Sequence, residues 1–377
     1  MTDNQIQIRM MTEIAYNMHQ LLAAKQSFEQ ANPGVTILIE QAADHFETMQ
    51  AYRSGEAPDL IETGGYPVGN PDGVYMDLSP YVAEVPGLAE DLFPGLMRVA
   101  KYDGTLPGLP IEISSPLIVY DKEKFDRAGL AYPAEDWTWA DMIELAKRLT
   151  LRNEQGVAAQ FGFGLGVDIE WFEPFVMRNG GGYISPDGST SRGYVDSAAT
   201  IEAFRLIIDA FRVHGVVRKP DESSQAGAWH EECAMRFAFM WDMHHHMPQD
   251  WKDARIGVVG LPNMPGGIKA NMIYMGGAGV TAKSAHPRIA WAFLRHYLLE
   301  CHSWTPPAIR SQAESRGLLR HSLWGRYVSE LDDAQISGFF KNKKWNASRQ
   351  LINEDIRSMI IDGADVAQTL RSWTRYT

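Results

Sequence analysis

The sequence predicts an α/β fold of two lobes, and three observations lead to this prediction. Strand-like apolar runs alternate with amphipathic helical segments through the first 66 residues. Such alternation is typical of a mostly parallel sheet with helices on both faces. The chain of 377 residues, 45% of them hydrophobic, can also bury a substantial core. Because this length exceeds that of a typical single domain, two domains or lobes are expected.

The first elements follow one another closely. "IQIRMM" (6–11) predicts a strand, and "NMHQLLAAKQSFEQANP" predicts an amphipathic helix that Pro33 and Gly34 end. "VTILIE" predicts a second strand, "FETMQAYRSG" a polar helix, and "DLIET" a third strand that runs into "GGY". Ligands of such sheets bind beyond the carboxyl ends of the strands, which are expected near Thr12 and Thr63.

A second set of elements begins near "SPLIVYDKEKFDRAGL". "WTWADMIELAKRLT" predicts a helix, with Thr138 as its cap and Asp141 at the third helical position. "GFGLG" (162–166), "AMRFAFMW" and "ARIGVVGLP" predict strands, and the last hundred residues are predicted to be mostly helical. No repeat or low-complexity linker interrupts the chain, so we expect more than one crossing between the lobes.

The charge balance argues against binding to nucleic acids or anionic lipid surfaces. Lys and Arg total 35 against 47 Asp and Glu, which gives a formal net charge of -12. Nucleic acids and anionic headgroups instead attract basic surfaces. No run of 18 apolar residues exists, so no membrane-spanning segment is predicted.

The compartment stays open on the evidence of the residues themselves. The N-terminus lacks a basic segment followed by an apolar stretch and a cleavage site. The protein is therefore either cytoplasmic or extracytoplasmic with its signal already removed. Cys233 and Cys301, which are the two cysteines, could form a disulfide or remain free thiols.

The stretch "FAFMWDMHHHM" (237–247) has two opposed interpretations. Either His244, His245 and His246 form a metal site, or the aromatic residues form the wall of a ligand site. Adjacent side chains of a strand point to opposite faces, so His245 could not join the other two. Zinc requires about four ligands, and no neighbouring Cys or HExxH motif supplies the rest. We predict no metal and no cofactor.

Motifs of common enzyme classes are also missing from the sequence. It contains no GxSxG, no P-loop motif, and no GxGxxG after the first strand. Glu13, Glu112 and Asp242 could supply a glycosidase carboxylate pair only if two of them faced each other at about 5 to 9 Å. We therefore predict no catalytic residues and a protein that is not an enzyme.

A series of motifs runs in order through nearly the whole chain. It comprises "FEQANPGVTILIE", "YRSGEAPDLIE", "GVYMDLSPYV", "YDGTLPGLPIEISSPLIVYDKEKFDRAGLAYPAEDWTWADMIELAKRLT", "GGGYISPDG", "CAMRFAFMW" and "IGVVGLPNMPGG". Together they resemble the extracellular solute-binding proteins of ABC sugar importers (family 1). The fourth block is the most specific, although Asp121 stands where that family usually has asparagine. The maltose-binding protein is the best-known relative in architecture.

The resemblance implies a two-lobed periplasmic-binding-protein-like fold (type II), in which a multi-strand hinge joins two α/β lobes. The N-terminal lobe would hold residues 1–112 and about 272–318. The C-terminal lobe would hold residues 113–271 and about 319–377, with the ligand cleft between the lobes. Such a protein captures a mono- or oligosaccharide by interlobe closure and delivers it to the permease subunits of an ABC transporter. A non-catalytic monomer in the periplasm or anchored as a lipoprotein is therefore expected, its signal sequence absent here.

Other solutes in the same fold stay open as alternatives. A polyol phosphate would require Arg or Lys at cleft positions, and the candidate segments carry none. A polyamine would require several carboxylates beside aromatic residues, for which Glu13, Glu112 and Asp242 are available. A glycan-active or metal-dependent enzyme is the rival from another class, and turnover of labelled oligosaccharides would favour it.

Aromatic residues are the first candidates for ligand contact, because an indole matches the apolar face of a sugar ring. The resemblance places Trp241 where the maltose-binding branch has a tryptophan that stacks on sugar. It places Trp171 where an aromatic residue often lies on the lip of the second lobe. Phe239 shares the predicted strand of Trp241, and Trp229 precedes that strand. For each of them, a place in the core is the alternative.

The remaining candidates lie at strand ends or near the expected hinge. They are Glu13, Tyr16, Gly64, Gly65, Tyr66, Glu112, Asp242, Met275, Gly276 and Gly277. Carboxylates at such positions accept hydrogen bonds from sugar hydroxyls, and glycines let a ligand approach the backbone. The alternatives are a solvated acid, an ordinary tight turn and simple packing.

If Trp241 stacks on a sugar ring, Trp241→Ala should cost about 2 kcal/mol of binding free energy, as at an aromatic hot spot. That loss corresponds to roughly thirtyfold weaker affinity, and Trp241→Phe should recover part of it. Titration calorimetry beside chemical denaturation measures both effects. The control is Trp139→Ala, which should reduce stability and leave affinity unchanged. Unchanged affinity with a large loss of stability in Trp241→Ala would instead place Trp241 in the core.

Overall fold

The chain folds into two compact units. The structure, a computed structural model, describes residues 5–64, 73–101, 104–222, 232–240, 242, 255–301 and 307–377. The first unit comprises Met1–Ile113 and Tyr274–Trp324, and the second comprises Ser114–Ile273 and Gly325–Thr377. The chain therefore passes from one unit to the other at three points, after residues 113, 273 and 324.

Strands and helices alternate at the start of each unit. The strands are β1 (Ile6–Thr12), β2 (Val35–Gln41), β3 (Leu60–Thr63), β4 (Leu109–Ser114), β5 (Leu117–Asp121), β6 (Leu151–Arg152), β7 (Ala158–Gly164), β8 (Cys233–Ala238), β9 (Ile256–Val259), β10 (Asn271–Val280) and β11 (Ala334–Ile336). The α-helices are α1 (Met18–Ala31), α2 (His45–Arg53), α3 (Ser79–Ala83), α4 (Leu88–Asp91), α5 (Pro94–Ala100), α6 (Lys122–Ala128), α7 (Trp139–Leu149), α8 (Ile169–Arg178), α9 (Ala198–Arg212), α10 (Pro287–Arg295), α11 (Arg310–Ser315), α12 (Trp324–Ser329), α13 (Lys343–Ala347), α14 (Arg349–Ile361) and α15 (Val366–Ser372).

The sheet of the first unit is built around β1. Strands β2 and β3 pair with β1 in parallel, one on each side, so the predicted order of strand, helix and parallel strand is confirmed. β10 then adds to β3 in antiparallel orientation, and β4 pairs with β10. All four residues of β3 are buried, as expected for a strand inside a sheet with both faces covered.

The sheet of the second unit has the order β6-β7-β8-β5-β9. Only the β7–β8 pair is parallel within it, so this sheet is mixed. The predicted start of α7 is confirmed, because the Thr138 hydroxyl accepts from the Asp141 backbone while the Asp141 carboxylate accepts from the Thr138 backbone. The predicted strand at 162–166 is wrong at its end, because β7 spans Ala158–Gly164.

The strand predicted to carry both Phe239 and Trp241 ends earlier, at Ala238. Two backbone N–H groups beyond it bind side-chain acceptors instead of a neighbouring strand. That of Phe239 donates to Asp242 Oδ2 at 3.0 Å, and that of Met240 donates to Ser114 Oγ at 2.7 Å. Because a strand requires its N–H groups for the ladder, these two bonds end β8.

One strand, β10, belongs to both units. Its residues 271–273 pair with β11 inside the second unit, whereas residues 277–280 pair with β3 inside the first. Asn271 is fully buried, and its amide donates to the carbonyl of Pro116 at 3.0 Å and to Glu330 Oε2 at 2.7 Å. These bonds fix the beginning of β10 within the second unit.

A buried carboxylate anchors α8, the helix that carries Trp171. Glu173 accepts a hydrogen bond from Ser337 Oγ at 2.5 Å and another from the Gly338 backbone N–H at 2.7 Å. Burial raises the pKa of Glu173 to about 7; the two hydrogen bonds and Lys341 act in the opposite direction, while Glu170 adds to the rise. Near neutral pH the carboxyl group is therefore close to its titration midpoint.

We expect Glu173 to make the protein less stable as the pH rises. The folded-state pKa lies above the unfolded value, so the stabilisation is complete below about 4.5 and is lost as the pH rises through about 7. Urea denaturation of the wild type and of Glu173→Gln between pH 5 and 8 measures the effect. The free energy of unfolding should fall with pH by at most about 1.4 kcal/mol per unit in the wild type, and less steeply in the variant.

The control for this pH experiment is Glu144→Gln, which changes an exposed carboxylate on α7 that pairs with Lys147. Its pH dependence should follow the wild type. Equal pH slopes in the wild type and Glu173→Gln would show that Glu173 does not titrate in this range.

Candidate functional site

Three of the predicted site residues come together in the first unit, where β1 and β3 end. The backbone N–H of Glu13 donates to the carbonyl of Glu62 at 3.0 Å, which ties the residue after β1 to β3. Gly277 lies opposite Thr63 in the β3–β10 pair, so it is close to Gly64. Gly64 is exposed, and a Cβ placed on it would meet no atom within 4 Å. Glu13, Gly64 and Gly277 therefore lie at the same edge of the first-unit sheet, and Gly64 is exposed there.

A fully buried carboxylate lies beneath these strand ends. Glu62 accepts hydrogen bonds from Thr12 Oγ1 at 2.5 Å and from the Tyr297 hydroxyl at 2.8 Å. Sequence analysis missed it, although an acidic residue within the apolar run "LIET" is the signal that could have found it. The bond from Thr12 joins the ends of β1 and β3, and the bond from Tyr297 joins β3 to the helical turn 296–301.

The Glu13 carboxylate faces partly outward, with a side chain that is 15% exposed. Its Oε1 lies 3.1 Å from Nδ1 of His45, and this hydrogen bond raises the pKa of His45. Burial, and then the charge of Glu13, raises the pKa of Tyr75. Glu13 is thus a partly exposed hydrogen-bond acceptor beside the imidazole of His45.

The other first-unit candidates have less to contribute. Met275, Gly276 and Gly277 are buried on β10. Tyr16 lies in the short turn 15–17 and Glu112 in β4, but the described part of the structure does not include their side chains. Gly65 and Tyr66 lie outside the described residues. Their roles stay predictions.

In the second unit, Trp171 and Phe239 contact each other directly. The half-buried indole of Trp171 stacks on Phe237, with ring centroids 5.6 Å apart and planes at 29°. It meets Phe239 edge-on, with centroids 6.1 Å apart. A Cβ on Gly166 would lie 2.6 Å from the indole, so the glycine lets Trp171 lie against the loop after β7. Phe239, only 1% exposed, supports the indole from behind.

Asp242 is bound inside the second unit. It is 7% exposed, accepts the Phe239 backbone N–H, and lies 3.7 Å from the Arg236 guanidinium. The carboxylate therefore organises the chain after β8. Arg236, a charge within the otherwise apolar strand "AMRFAF", is a further residue that sequence analysis did not single out.

A cavity of about 380 Å³ opens beside Trp171 within the second unit. The end of β7 and the loop after it form one side, and residues 217–220, the start of β8 and Arg357 of α14 form the rest. Its charged lining residues are Arg218, Lys219, Glu232, Arg236 and Arg357. The candidate cleft segments chosen from the sequence carry no Arg or Lys, so these cationic lining residues are an addition to that prediction.

Trp229, Trp241 and the three consecutive histidines His244, His245 and His246 lie outside the described residues. Within the described ranges, no three His, Cys, Asp or Glu side chains are grouped as a metal site. Both Cys233 and Cys301 are free thiols. No helix in the described part of the chain has the length and apolar character needed to cross a membrane.

Solved structures with the same fold cover nearly the entire chain. An ABC substrate-binding protein from Listeria monocytogenes in complex with cycloalternan superposes with a TM-score of 0.79 at 19% identity, over 98% of this chain and 97% of that one. The sugar-binding protein MalE of Xanthomonas citri gives 0.78 at 18% identity, over 98% and 95%. The predicted two-lobed α/β fold is thereby confirmed.

Sequence comparisons point to the same family. The sn-glycerol-3-phosphate-binding periplasmic protein UgpB of Brucella abortus is 27% identical over 191 residues, which cover 48% of this chain and only 38% of that protein. The model of the bacterial extracellular solute-binding proteins matches residues 11–300. That match spans more than half of the chain and bears out the resemblance seen in the sequence motifs. The chain belongs to the family of bacterial extracellular solute-binding proteins.

Proposed function

We propose that the protein is the substrate-binding component of an ABC importer, which captures a carbohydrate and delivers it to a membrane permease. The observation that carries the proposal is Trp171. Its indole is only partly buried and lies beside a cavity, while Phe237 and Phe239 hold it in one orientation. A fixed aromatic ring of this kind is suited to the apolar face of a sugar.

The similar structures support a carbohydrate ligand. The Listeria protein is in complex with cycloalternan, and the Xanthomonas protein is described as sugar-binding. UgpB is described as binding sn-glycerol 3-phosphate, which is the phosphate ester of a polyol. The first unit offers a complementary group, because the Glu13 carboxyl group at the ends of β1 and β3 can accept hydrogen bonds from hydroxyl groups.

We further propose that the ligand binds between the two units, which act as lobes and close on it. Three chain crossings support a hinge, since each can absorb part of a rotation. Binding and closure require no catalytic group, so we propose a non-catalytic monomer. It would act outside the cytoplasm, either in the periplasm or as a lipoprotein.

A thermal-shift screen against mono- and oligosaccharides tests the function. The true ligand, present at 100 times its dissociation constant, should stabilise the protein by about 2.7 kcal/mol. Incubation with the same sugars, followed by product analysis, separates a receptor from an enzyme. Saturable binding without products supports the receptor, whereas turnover would contradict it.

Replacing Trp171 provides the sharpest test within the described site. Trp171→Ala should weaken sugar binding by roughly tenfold or more, because it removes an aromatic anchor. Trp139→Ala is the matched control, since Trp139 is 4% exposed and packs on Phe175. It should lower the free energy of unfolding by about 3 kcal/mol and leave affinity unchanged. If Trp171→Ala binds as tightly as the wild type, the indole does not contact the ligand.

Closure has its own measurement. Small-angle X-ray scattering with and without the ligand identified by the screen should give a smaller radius of gyration in the bound state. A sugar that produces no thermal shift serves as the control. Identical scattering profiles at saturation would contradict interlobe closure while leaving ligand binding intact.

A further inference from the structure

We propose that the cavity beside Trp171 binds an anionic substituent of the ligand, so that the solute is a phosphorylated, sulfated or carboxylated sugar or polyol. This inference rests on the proposed function and narrows it to one chemical class. The cations that it requires come from residues that sequence analysis did not select as candidates.

The charges around the cavity carry the inference. Four cationic side chains line it, those of Arg218, Lys219, Arg236 and Arg357, together with one carboxylate, Glu232. Asp242, which pairs with Arg236, supplies a second negative charge behind the wall. The lining itself carries four positive charges and one negative charge, a balance of +3, which Asp242 and Glu222 beside it reduce to +1. The whole chain has a formal net charge of -12. A concave site of opposite sign to the whole protein favours an anion.

Within the described part of the chain, ion pairs involve only two of the four cationic side chains, Arg218 and Arg236. Glu232 pairs with Arg218 at 2.7 Å, and Asp242 lies 3.7 Å from Arg236. Among the described residues, neither Lys219 Nζ nor the Arg357 guanidinium forms an ion pair, although the Glu222 carboxylate accepts the backbone N–H of Lys219 at 3.4 Å. Their ammonium and guanidinium groups are therefore available to the cavity. Guanidinium groups bind phosphate and carboxylate oxygens in pairs, which gives them orientation as well as affinity.

The cavity also has the mixed lining that such a ligand requires. Trp171 supplies an aromatic surface for carbon-bound hydrogens, while Gly164 and Gly166 line the same cavity and leave space for the neighbouring Cys233 and Trp171 side chains. The Arg236 side chain is only 16% exposed. Because it is partly desolvated, its electrostatic attraction to an anion is stronger than that of a cation at the surface. A volume of about 380 Å³ accommodates a small polyol or one sugar residue with its charged group.

Titration calorimetry on matched neutral and charged solutes tests this inference. The pairs are glycerol with glycerol phosphate, glucose with glucose 6-phosphate, and glucose with glucuronate; inorganic phosphate alone completes the set. At least one charged member should bind roughly tenfold more tightly than its neutral partner, as expected for one hydrogen bond to a charged group. The difference should shrink at about 0.5 M salt, because screening weakens exposed charges. Comparing phosphate esters with glucuronate identifies the anionic group.

Variants of the two unpaired cations assign the effect to the cavity. Lys219→Gln and Arg357→Gln should each weaken the charged ligand several-fold and leave its neutral partner unchanged. The matched control is Arg148→Gln, which removes an exposed cation on α7 that does not line the cavity. It should bind both solutes like the wild type. All of these positions are at least partly exposed, and melting temperatures verify that each variant folds.

The outcomes separate this inference from the proposed function. If neutral sugars bind and neither charge nor the cavity variants alter affinity, the anionic site is wrong and the carbohydrate receptor stands. If charged solutes bind more tightly but Lys219→Gln and Arg357→Gln behave like Arg148→Gln, the anion binds elsewhere and the inference is also overturned. If no sugar or polyol of either kind binds, the proposed function itself fails.

Discussion

The hydrogen-bond pairing of β10 at both of its ends is the constraint on which the other features depend. One end is fixed to β11 and the other to β3, so a single continuous backbone belongs to two separately packed units. The buried Asn271 amide secures the first end, and the Gly277–Thr63 pair secures the second. This second pairing also brings Gly277 beside the residues that follow β1 and β3. The strand that connects the two units, β10, therefore also contributes Gly277 to the candidate site of the first unit.

The two units present different chemistry. At the strand ends of the first unit, carboxylates dominate, with Glu62 buried and bonded and Glu13 partly exposed. The second unit combines an aromatic cluster with cationic side chains around a cavity. The carboxylates of the first unit are acceptors for hydroxyl groups, and the cations of the second unit favour anionic groups.

The parts of the fold that depend on local pattern could be predicted from the sequence. The capping box of Thr138 and Asp141 and the order of β1–β3 follow from spacing and β-branched content. The end of β8 could not be predicted, because Ser114 and Asp242 capture backbone N–H groups there. Arg236 was missed for a similar reason. Its value as a candidate depends on residues far along the chain, such as Arg357, that line the same cavity.

Cys233 places a thiol with a raised pKa in the wall of the cavity. Burial raises the pKa of its thiol to about 12, and this side chain lines the same cavity as Trp171. The thiolate, which is the form that reacts with alkylating agents and disulfides, is therefore disfavoured at neutral pH. The cavity can thus include a sulfur atom as a soft apolar surface of low nucleophilic reactivity.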